Sequence, residues 1–289
     1  MNDIPSALPE GAFKTRPIDS DKYSVGTVAV VGGSARYPNA PVMAGLGARA
    51  AGAGLVSLVV PDESRFCAGA ILPEATFVKL TSDCVPPRAD ATVVGMGLGT
   101  GEDSGLIVSR LLSSPGGRLV LDADALSIIA DLRGRGACRH SAGLSIVLTP
   151  HEGEAARLLG VSRDAVAADR LSAAKDIAAR YGATVVLKGP RTLVVSADLS
   201  RTYENASGNP FMALGGMGDL LAGVIGARWA YLKGDAFVAA ASAAWLHGAA
   251  SDRVVAAARD ASIVNTASEI GAMRVALDGV LKLKRMETT

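Results

Sequence analysis

Gly215-Gly216-Met217-Gly218-Asp219 runs directly into Leu220-Leu221-Ala222-Gly223-Val224-Ile225-Gly226, and this junction carries the chain's clearest chemical signal. Glycines let a backbone approach a bulky anion with its N–H groups exposed. The apolar run behind them reads as a buried helix whose positive end faces the same anion. Asp219 stands where the two meet. One use for a carboxylate there is general-base chemistry: it takes the proton of a substrate hydroxyl while the loop stabilises a migrating phosphoryl group. The other use is structural, as an N-cap for the first free N–H groups of the helix. Taken alone, the motif does not choose between them.

Other segments offer partners for that chemistry. Gly32-Gly33-Ser34-Ala35-Arg36-Tyr37-Pro38-Asn39-Ala40 follows an apolar strand but matches neither a Walker A loop nor GxGxxG. It is either an ordinary glycine-rich turn or a loop lining a substrate pocket. Gly95-Met96-Gly97-Leu98-Gly99-Thr100-Gly101 follows another strand, and its alternating glycines suit close contact with a ligand or a flexible crossover. In Leu121-Asp122-Ala123-Asp124, two carboxylates at a strand end could orient water around Mg²⁺, or Asp124 could cap the next helix. Thr149-Pro150-His151-Glu152 reads as a helix start, with Thr149 the N-cap, Pro150 the first helical residue and Glu152 the capping-box partner. His151 is then left to hydrogen-bond a substrate or to stand exposed in the first turn. Asp122, Asp124 and Glu152 are the weak candidates for a metal. Lys188-Gly189-Pro190-Arg191-Thr192 places a lysine at a strand end, where it can reach a nucleotide phosphate or sit solvated in a turn.

These residues need a scaffold, and the hydrophobic pattern supplies one. Strands are expected at Thr27–Val31, Leu55–Val60, Ala91–Val94, Arg118–Leu121, Ser145–Leu148, Thr184–Leu187 and Thr192–Ser196. Helices are expected near 41–53, 103–113, 124–131, 151–160 and 163–181, then near 219–232, 235–257 and 262–277. Near-continuous apolar strands alternating with helices predict an α/β domain with a mostly parallel central sheet and helices on both faces. The four-residue link Lys188–Arg191 is too short for a crossover and predicts one antiparallel pair. In such sheets ligands sit at the carboxyl ends of the strands, where all of these glycine-bearing segments fall. Residues 1–24 read as an N-terminal arm and 25–289 as a single domain.

Bulk composition excludes several roles. The chain has 289 residues with 49% hydrophobic content, and 29 basic against 28 acidic residues give +1. That balance offers no general attraction to nucleic acid or an anionic membrane, and 4% aromatics provide no base-stacking platform. Three cysteines, Cys67, Cys84 and Cys138, are odd in number and lack a CxxC pair, as suits a reducing compartment. No apolar signal-peptide core precedes the first strand, and a cytoplasmic protein is expected.

In order along the chain, the segments resemble the NAD(P)H-hydrate dehydratases, the ribokinase-like half of bifunctional nicotinamide-nucleotide repair enzymes. The resemblance rests on Gly32-Gly33-Ser34 with Tyr37-Pro38-Asn39-Ala40, Arg49 to Val56, Gly97-Leu98-Gly99, Leu121 to Leu126 and Thr149 to Glu152. Lys188-Gly189, Gly208-Asn209-Pro210 and Gly215 to Asp219 complete it. It implies a three-layer ribokinase-like fold and repair of hydrated NADH and NADPH. ADP, or ATP, phosphorylates the hydrate hydroxyl with Mg²⁺ as cofactor, and loss of phosphate regenerates the dihydronicotinamide. Asp219 is then the catalytic base, and Ala40, Gly97, Gly99 and His151 contact the hydrate. Lys188, Gly189, Pro190, Arg191, Thr192, Gly216, Met217 and Gly218 hold the nucleotide. A homo-oligomer is implied as well. An epimerase half is not expected, since the residues before the first strand are too few for a domain. Three positions depart from the family pattern: Met217 where a serine is usual, Leu214 where a threonine is usual, and Pro190-Arg191 within the nucleotide loop. A small-molecule kinase of the same fold, acting on a hydroxymethyl or hydroxyethyl group, shares the glycine loop and Asp base and is the alternative. A nucleotide-binding module with impaired catalysis is a third reading, motivated by Met217 and Leu214.

Overall fold

A computed structural model of the chain describes residues 7–14, 16–136 and 140–257, together with 275 and 279. Cys138 and, but for residue 275, the helix expected near 262–277 lie outside the described residues. Among the described residues one sheet holds β1 (Thr27–Val31), β2 (Leu55–Val60), β3 (Thr76–Lys79), β4 (Ala91–Val94), β5 (Arg118–Leu121), β6 (Ser145–Leu148), β7 (Thr184–Leu187), β8 (Leu193–Val195) and β9 (Thr202–Glu204). Their spatial order is β3-β2-β1-β4-β5-β6-β7-β8-β9. Pairing is parallel from β3 to β7. The predicted antiparallel pair is β7 with β8, and β9 adds a second antiparallel strand at that edge.

Alternating strand residues feed two apolar layers. Val28, Val30, Val56, Leu58 and Val93 point to one face, covered by α1 (Ala40–Ala50), α8 (Met217–Leu232) and α9 (Ala236–Ala257). Val31, Val59, Val94, Leu119 and Leu121 point to the other, covered by α3 (Glu102–Ser113), α4 (Asp124–Gly134), α5 (Glu152–Leu159) and α7 (Arg170–Tyr181). Between these in the chain lie α2 (Asp62–Ile71) and α6 (Arg163–Ala168). The single helix expected over 163–181 is thus broken. Asp169 stops α6 and caps α7, its Oδ1 accepting from the amide of Ser172 at 2.9 Å.

Apart from Asp219 and Arg228, helix α8 is apolar on every side, as suits a helix buried in a core. It crosses α1 at backbone contact distance. A Cβ on Gly223 would lie 1.8 Å from the Ala44 carbonyl oxygen, and one on Gly47 would lie 2.1 Å from that of Leu220. The described part of the arm docks behind these helices. Ala12 is buried, and Phe13 meets Trp245 edge-on at 5.4 Å between ring centroids. Beneath it Arg228 is buried on α8, donating to the Ala12 carbonyl and stacked 4.9 Å from the Phe13 ring centroid. Burial lowers its pKa to about 10, so it stays charged at neutral pH inside a cage of ring faces and a carbonyl.

The chain leaves β1 for β2 and β3 on one side, then returns to β4 on the other. This reversal creates a crevice outside the carboxyl ends of β1 and β4, the favoured ligand position in such sheets. The Gly32–Ala40 loop leaves β1 and the Gly95–Gly101 loop leaves β4. They are tied together by the amide of Gly33 donating to the Met96 carbonyl at 2.9 Å.

Candidate active site

Asp219 does not cap its helix. Gly216, at φ 90°, is the N-cap of α8, and Asp219 is the third helical residue. The amides of Gly218 and Asp219 have no backbone acceptor among the described residues, so this end of the helix presents free donors beside a carboxylate. Met217 behaves differently from its expectation as a nucleotide contact. Its side chain is buried in the core, which leaves only its backbone near the loop.

Asp219 keeps one face toward solvent, yet its pKa is raised from 3.8 to about 7. Burial is the main cause, and repulsion from Asp122, Glu154 and Asp124 adds to it. Attraction to Lys188 opposes the rise without cancelling it. No described residue donates a hydrogen bond to the carboxylate. A base so placed is half ionised near neutral pH, as suits proton abstraction.

Lys188 is no solvated turn residue. Its Nζ donates to Asp122 Oδ1 at 2.7 Å and lies 3.6 Å from Glu154 Oε2. Burial works against its charge, but Asp122 and Glu154 outweigh it and the pKa is raised, so the ammonium persists. The same Nζ lies 3.3 Å from where a Cβ on Gly218 would stand. The cation therefore sits directly against the anion loop. Buried Thr149 fixes Asp122 from behind, donating from Oγ1 at 2.7 Å.

The helix start after β6 differs from its expected form. His151, not Thr149, is the N-cap of α5. Its Nδ1 accepts from the amides of Gly153 at 3.0 Å and Glu154 at 3.2 Å. Glu154, not Glu152, closes the capping box by accepting from the His151 amide at 2.8 Å. This corrects the sequence assignment, and the reason lies in Thr149: its hydroxyl is committed to Asp122 and the Leu121 carbonyl, so the helix opens two residues later. The cap also fixes the tautomer. With Nδ1 accepting, the proton lies on Nε2, which stands 3.6 Å from Glu154 Oε1 on an exposed ring and remains a donor at the start of α5.

Asp124 is likewise not a cap. It is the first residue of α4 and holds the Gly99 amide at 2.7 Å. Between it and Asp122, Ala123 takes φ 50°, a conformation that costs of order 1 kcal/mol and is kept where the surroundings demand it. Gly97, at φ 64°, is pressed against Tyr37 and Ala40: a Cβ there would lie 2.6 Å from Tyr37 Cβ and 3.2 Å from Ala40 Cβ. Ala40 opens α1. Thr192 donates from Oγ1 to the Gly189 carbonyl at 3.1 Å. Arg191 is turned aside to Glu204 on β9, and Pro190 presents its carbonyl to Arg170.

The three weak metal candidates are each engaged elsewhere. Asp122 holds Lys188, Asp124 holds the Gly99 amide, and Glu152 pairs with Arg163 and Arg170. Among the described residues no three acidic, histidine or cysteine side chains converge as a metal cage. These residues do not fit a protein-held Mg²⁺. Sequence reading missed Glu154 and Arg170. The Glu at the fourth position of His151-Glu152-Gly153-Glu154 was the available signal for the first; nothing local marked the second.

A doubly wound sheet with a glycine anion loop, a poised carboxylate and a paired lysine at its carboxyl edge defines a ribokinase-like, phosphoryl-handling α/β protein. The family model described as NAD(P)H-hydrate dehydratase matches residues 28–271, and the chain belongs to that family. It is 45% identical over 245 residues to the ADP-dependent (S)-NAD(P)H-hydrate dehydratase of Neisseria meningitidis, covering 83% of this chain and 81% of that protein. It is 37% identical over 247 residues to the bifunctional NAD(P)H-hydrate repair enzyme of Escherichia coli, covering 84% of this chain but only 46% of that one. The chain thus spans about half the length of its bifunctional relatives. The crystal structure of the ADP/ATP-dependent NAD(P)H-hydrate dehydratase of Bacillus subtilis, co-crystallised with ATP and Mg²⁺, superposes with a TM-score of 0.82 at 27% identity. That match covers 93% of this chain and 94% of the other.

Proposed function

We propose that this chain is an ADP-dependent (S)-NAD(P)H-hydrate dehydratase, with ATP as the alternative donor. The observation that carries the reading is Asp219, pushed up to about 7 at the mouth of a helix with free amides and with Lys188 beside it. The ionised carboxylate takes the proton from the ring hydroxyl of the hydrate. The hydroxyl oxygen bonds to the terminal phosphorus of the nucleotide as the bond to the departing nucleotide breaks. Amides of Gly218 and Asp219 and the Lys188 ammonium stabilise the charge on the phosphoryl oxygens. Hydroxide leaves poorly and phosphate well. The ring nitrogen's lone pair then expels phosphate from carbon, and loss of a proton from the adjacent ring carbon restores the double bond.

Ala40, Gly97, Gly99 and the His151 Nε2–H line the hydrate side in this reading. Lys188 to Thr192 with Gly216 and Gly218 line the nucleotide side. Mg²⁺, carried by the nucleotide, would screen its phosphates. The same reading places the enzyme in the cytoplasm, as a homo-oligomer, where reduced nicotinamide nucleotides are damaged. The test is incubation with hydrated NADH or NADPH and either nucleotide, followed by the near-ultraviolet absorbance of the reduced ring. Recovery with ADP is expected. A phosphorylated hydroxy compound accumulating without that recovery would instead favour a small-molecule kinase.

A further inference from the structure

We propose that Arg170 is the positioning residue that shapes the 188–192 segment into a phosphate-binding loop, an inference that rests on that segment being the nucleotide side of the site. Arg170 is the first residue of α7, at the break opened by Asp169, and its guanidinium lies beneath the loop that follows β7. Nη1 donates to the carbonyls of Pro190 at 2.6 Å and Arg191 at 3.4 Å. Nη2 donates to those of Leu187 and Lys188, both at 3.3 Å. Nε lies 3.4 Å from Glu152 Oε1, an ion pair without a hydrogen bond, so the carboxylate biases the orientation of the fork by charge.

Four carbonyls gathered on one cation have a geometric consequence. In a planar trans peptide each carbonyl points opposite to the next residue's N–H. Drawing the carbonyls of Leu187, Lys188, Pro190 and Arg191 inward turns the amides of residues 188, 189, 191 and 192 the other way. The Lys188 amide is used by the Pro150 carbonyl at 2.8 Å. Those of Gly189 and Arg191 have no acceptor among the described residues, while the Thr192 amide turns back toward the Gly189 carbonyl across the Pro190-Arg191 turn. Two outward amides, with the Lys188 ammonium beside them, form an anion-binding concavity of the kind that cradles phosphates. Gly189 is what lets the guanidinium pass underneath. It sits at φ 146°, and a Cβ there would lie 2.8 Å from Arg170 Nη2. Only a planar five-donor fork serves these carbonyls together; an ammonium on a single stem reaches one or two.

Arg170 touches no substrate. It sets the direction in which the loop amides face, and so the affinity for the phosphates of a nucleoside di- or triphosphate. The test compares the wild type with Arg170→Lys, Arg170→Met and Glu152→Gln by calorimetric titration with ADP, by the KM for ADP and for the hydrate, and by thermal midpoint. Both Arg170 variants should raise the ADP Kd about tenfold or more, equivalent to about 1.4 kcal/mol. The KM for the hydrate should stay within about twofold. Glu152→Gln, which keeps the fork but loosens its orientation, should raise the ADP Kd by a smaller factor in the same direction, and it carries the test if the Arg170 variants do not fold. A purely structural role would lower the midpoint without separating the two KM values, and that result overturns the proposal. Lys188→Met tells the two failures apart. If it binds ADP as the wild type does, the nucleotide loop itself is misassigned. If it weakens ADP while a folded Arg170→Lys or Glu152→Gln does not, only the positioning role falls.

Discussion

Replacing Asp219 with Asn should destroy activity and at the same time stabilise the protein, by an amount that depends on pH in a defined direction. The carboxyl's pKa rises from 3.8 to about 7, chiefly through burial and then through Asp122. By linkage, that difference makes the ionised form cost about 4 kcal/mol in the folded state relative to the unfolded chain. The sign follows from the raised value. Below the ordinary carboxylate range the group is neutral in both states and the penalty is absent. Between about pH 4 and pH 7 the unfolded chain ionises first and stability falls. Above about pH 7 the whole penalty is present. A neutral amide at this position removes it. Asp219 keeps a face toward solvent, and Lys188 loses a favourable partner in the variant, so a gain of about 1–3 kcal/mol is the reasonable expectation. For a chain of this size that raises Tm by about 2–4 °C per kcal/mol.

Two assays read the same group. Differential scanning calorimetry of wild type and Asp219→Asn at several pH values should give a Tm difference that is largest at about pH 8 or above, on the order of several degrees, and shrinks as pH falls below about 7. Absorbance recovery with hydrate and ADP should show the wild-type rate climbing with pH through about 7 and then levelling, because only the ionised base accepts the proton. The variant should lose roughly 10²–10⁴ in rate with ADP affinity held within a few-fold. A Tm difference of the same size at acid and alkaline pH, or a destabilised variant at alkaline pH, would refute the claim that Asp219 is a strained buried charge. ADP affinity that fell in step with rate would refute its role as base.

Three further outcomes follow from neighbouring residues. Asp122→Asn removes the main partner of buried Lys188 and should cost about 3 kcal/mol by denaturant unfolding, the low end for a broken buried pair because Glu154 remains. It should also move the pH limb of the rate profile to lower pH, since Asp122 is the largest repulsive charge on Asp219. His151→Asn keeps a good N-cap for α5 but shortens the side chain. Tm should hold within a degree or two while the KM for the hydrate rises; an unchanged KM would leave His151 a helix cap and nothing more. Gly223→Ala would place a methyl 1.8 Å from the Ala44 carbonyl and force α8 off α1. Circular dichroism and solubility should show a severely destabilised protein, and a fold as stable as the wild type would mean that the two helices are not packed so closely.

What the sequence made legible is what depends on strong local pattern. The seven expected strands all appear, because each is a short apolar run buried on both faces, and Asp219, Lys188 and the glycine loops were found because glycines cluster beside a charged residue at the carboxyl ends of the strands and at the start of an apolar helix. The elements that escaped have little apolar signal to give. Helix α2 buries only Ser64 and Ala68, β3 lies exposed at one edge of the sheet, and β9 buries Tyr203 alone. The misread features share a different cause, which is commitment of a side chain to a partner far along the chain. Thr149 looked like a cap until Asp122, 27 residues away, claimed its hydroxyl. Asp122 looked like a metal ligand until Lys188, 66 residues away, claimed it. Arg170 was invisible because its four carbonyl partners are specified by the path of the loop and by no residue type. The polar residues that set the charge on Asp219 are therefore those least readable one at a time: Asp122, Glu154 and Lys188 lie on different elements and acquire their roles only when the sheet brings the ends of β5, β6 and β7 together. An Asp at a helix start is commonplace. One pushed up to about 7 requires that whole assembly, and the same assembly that makes it a usable base is what makes it costly to the fold.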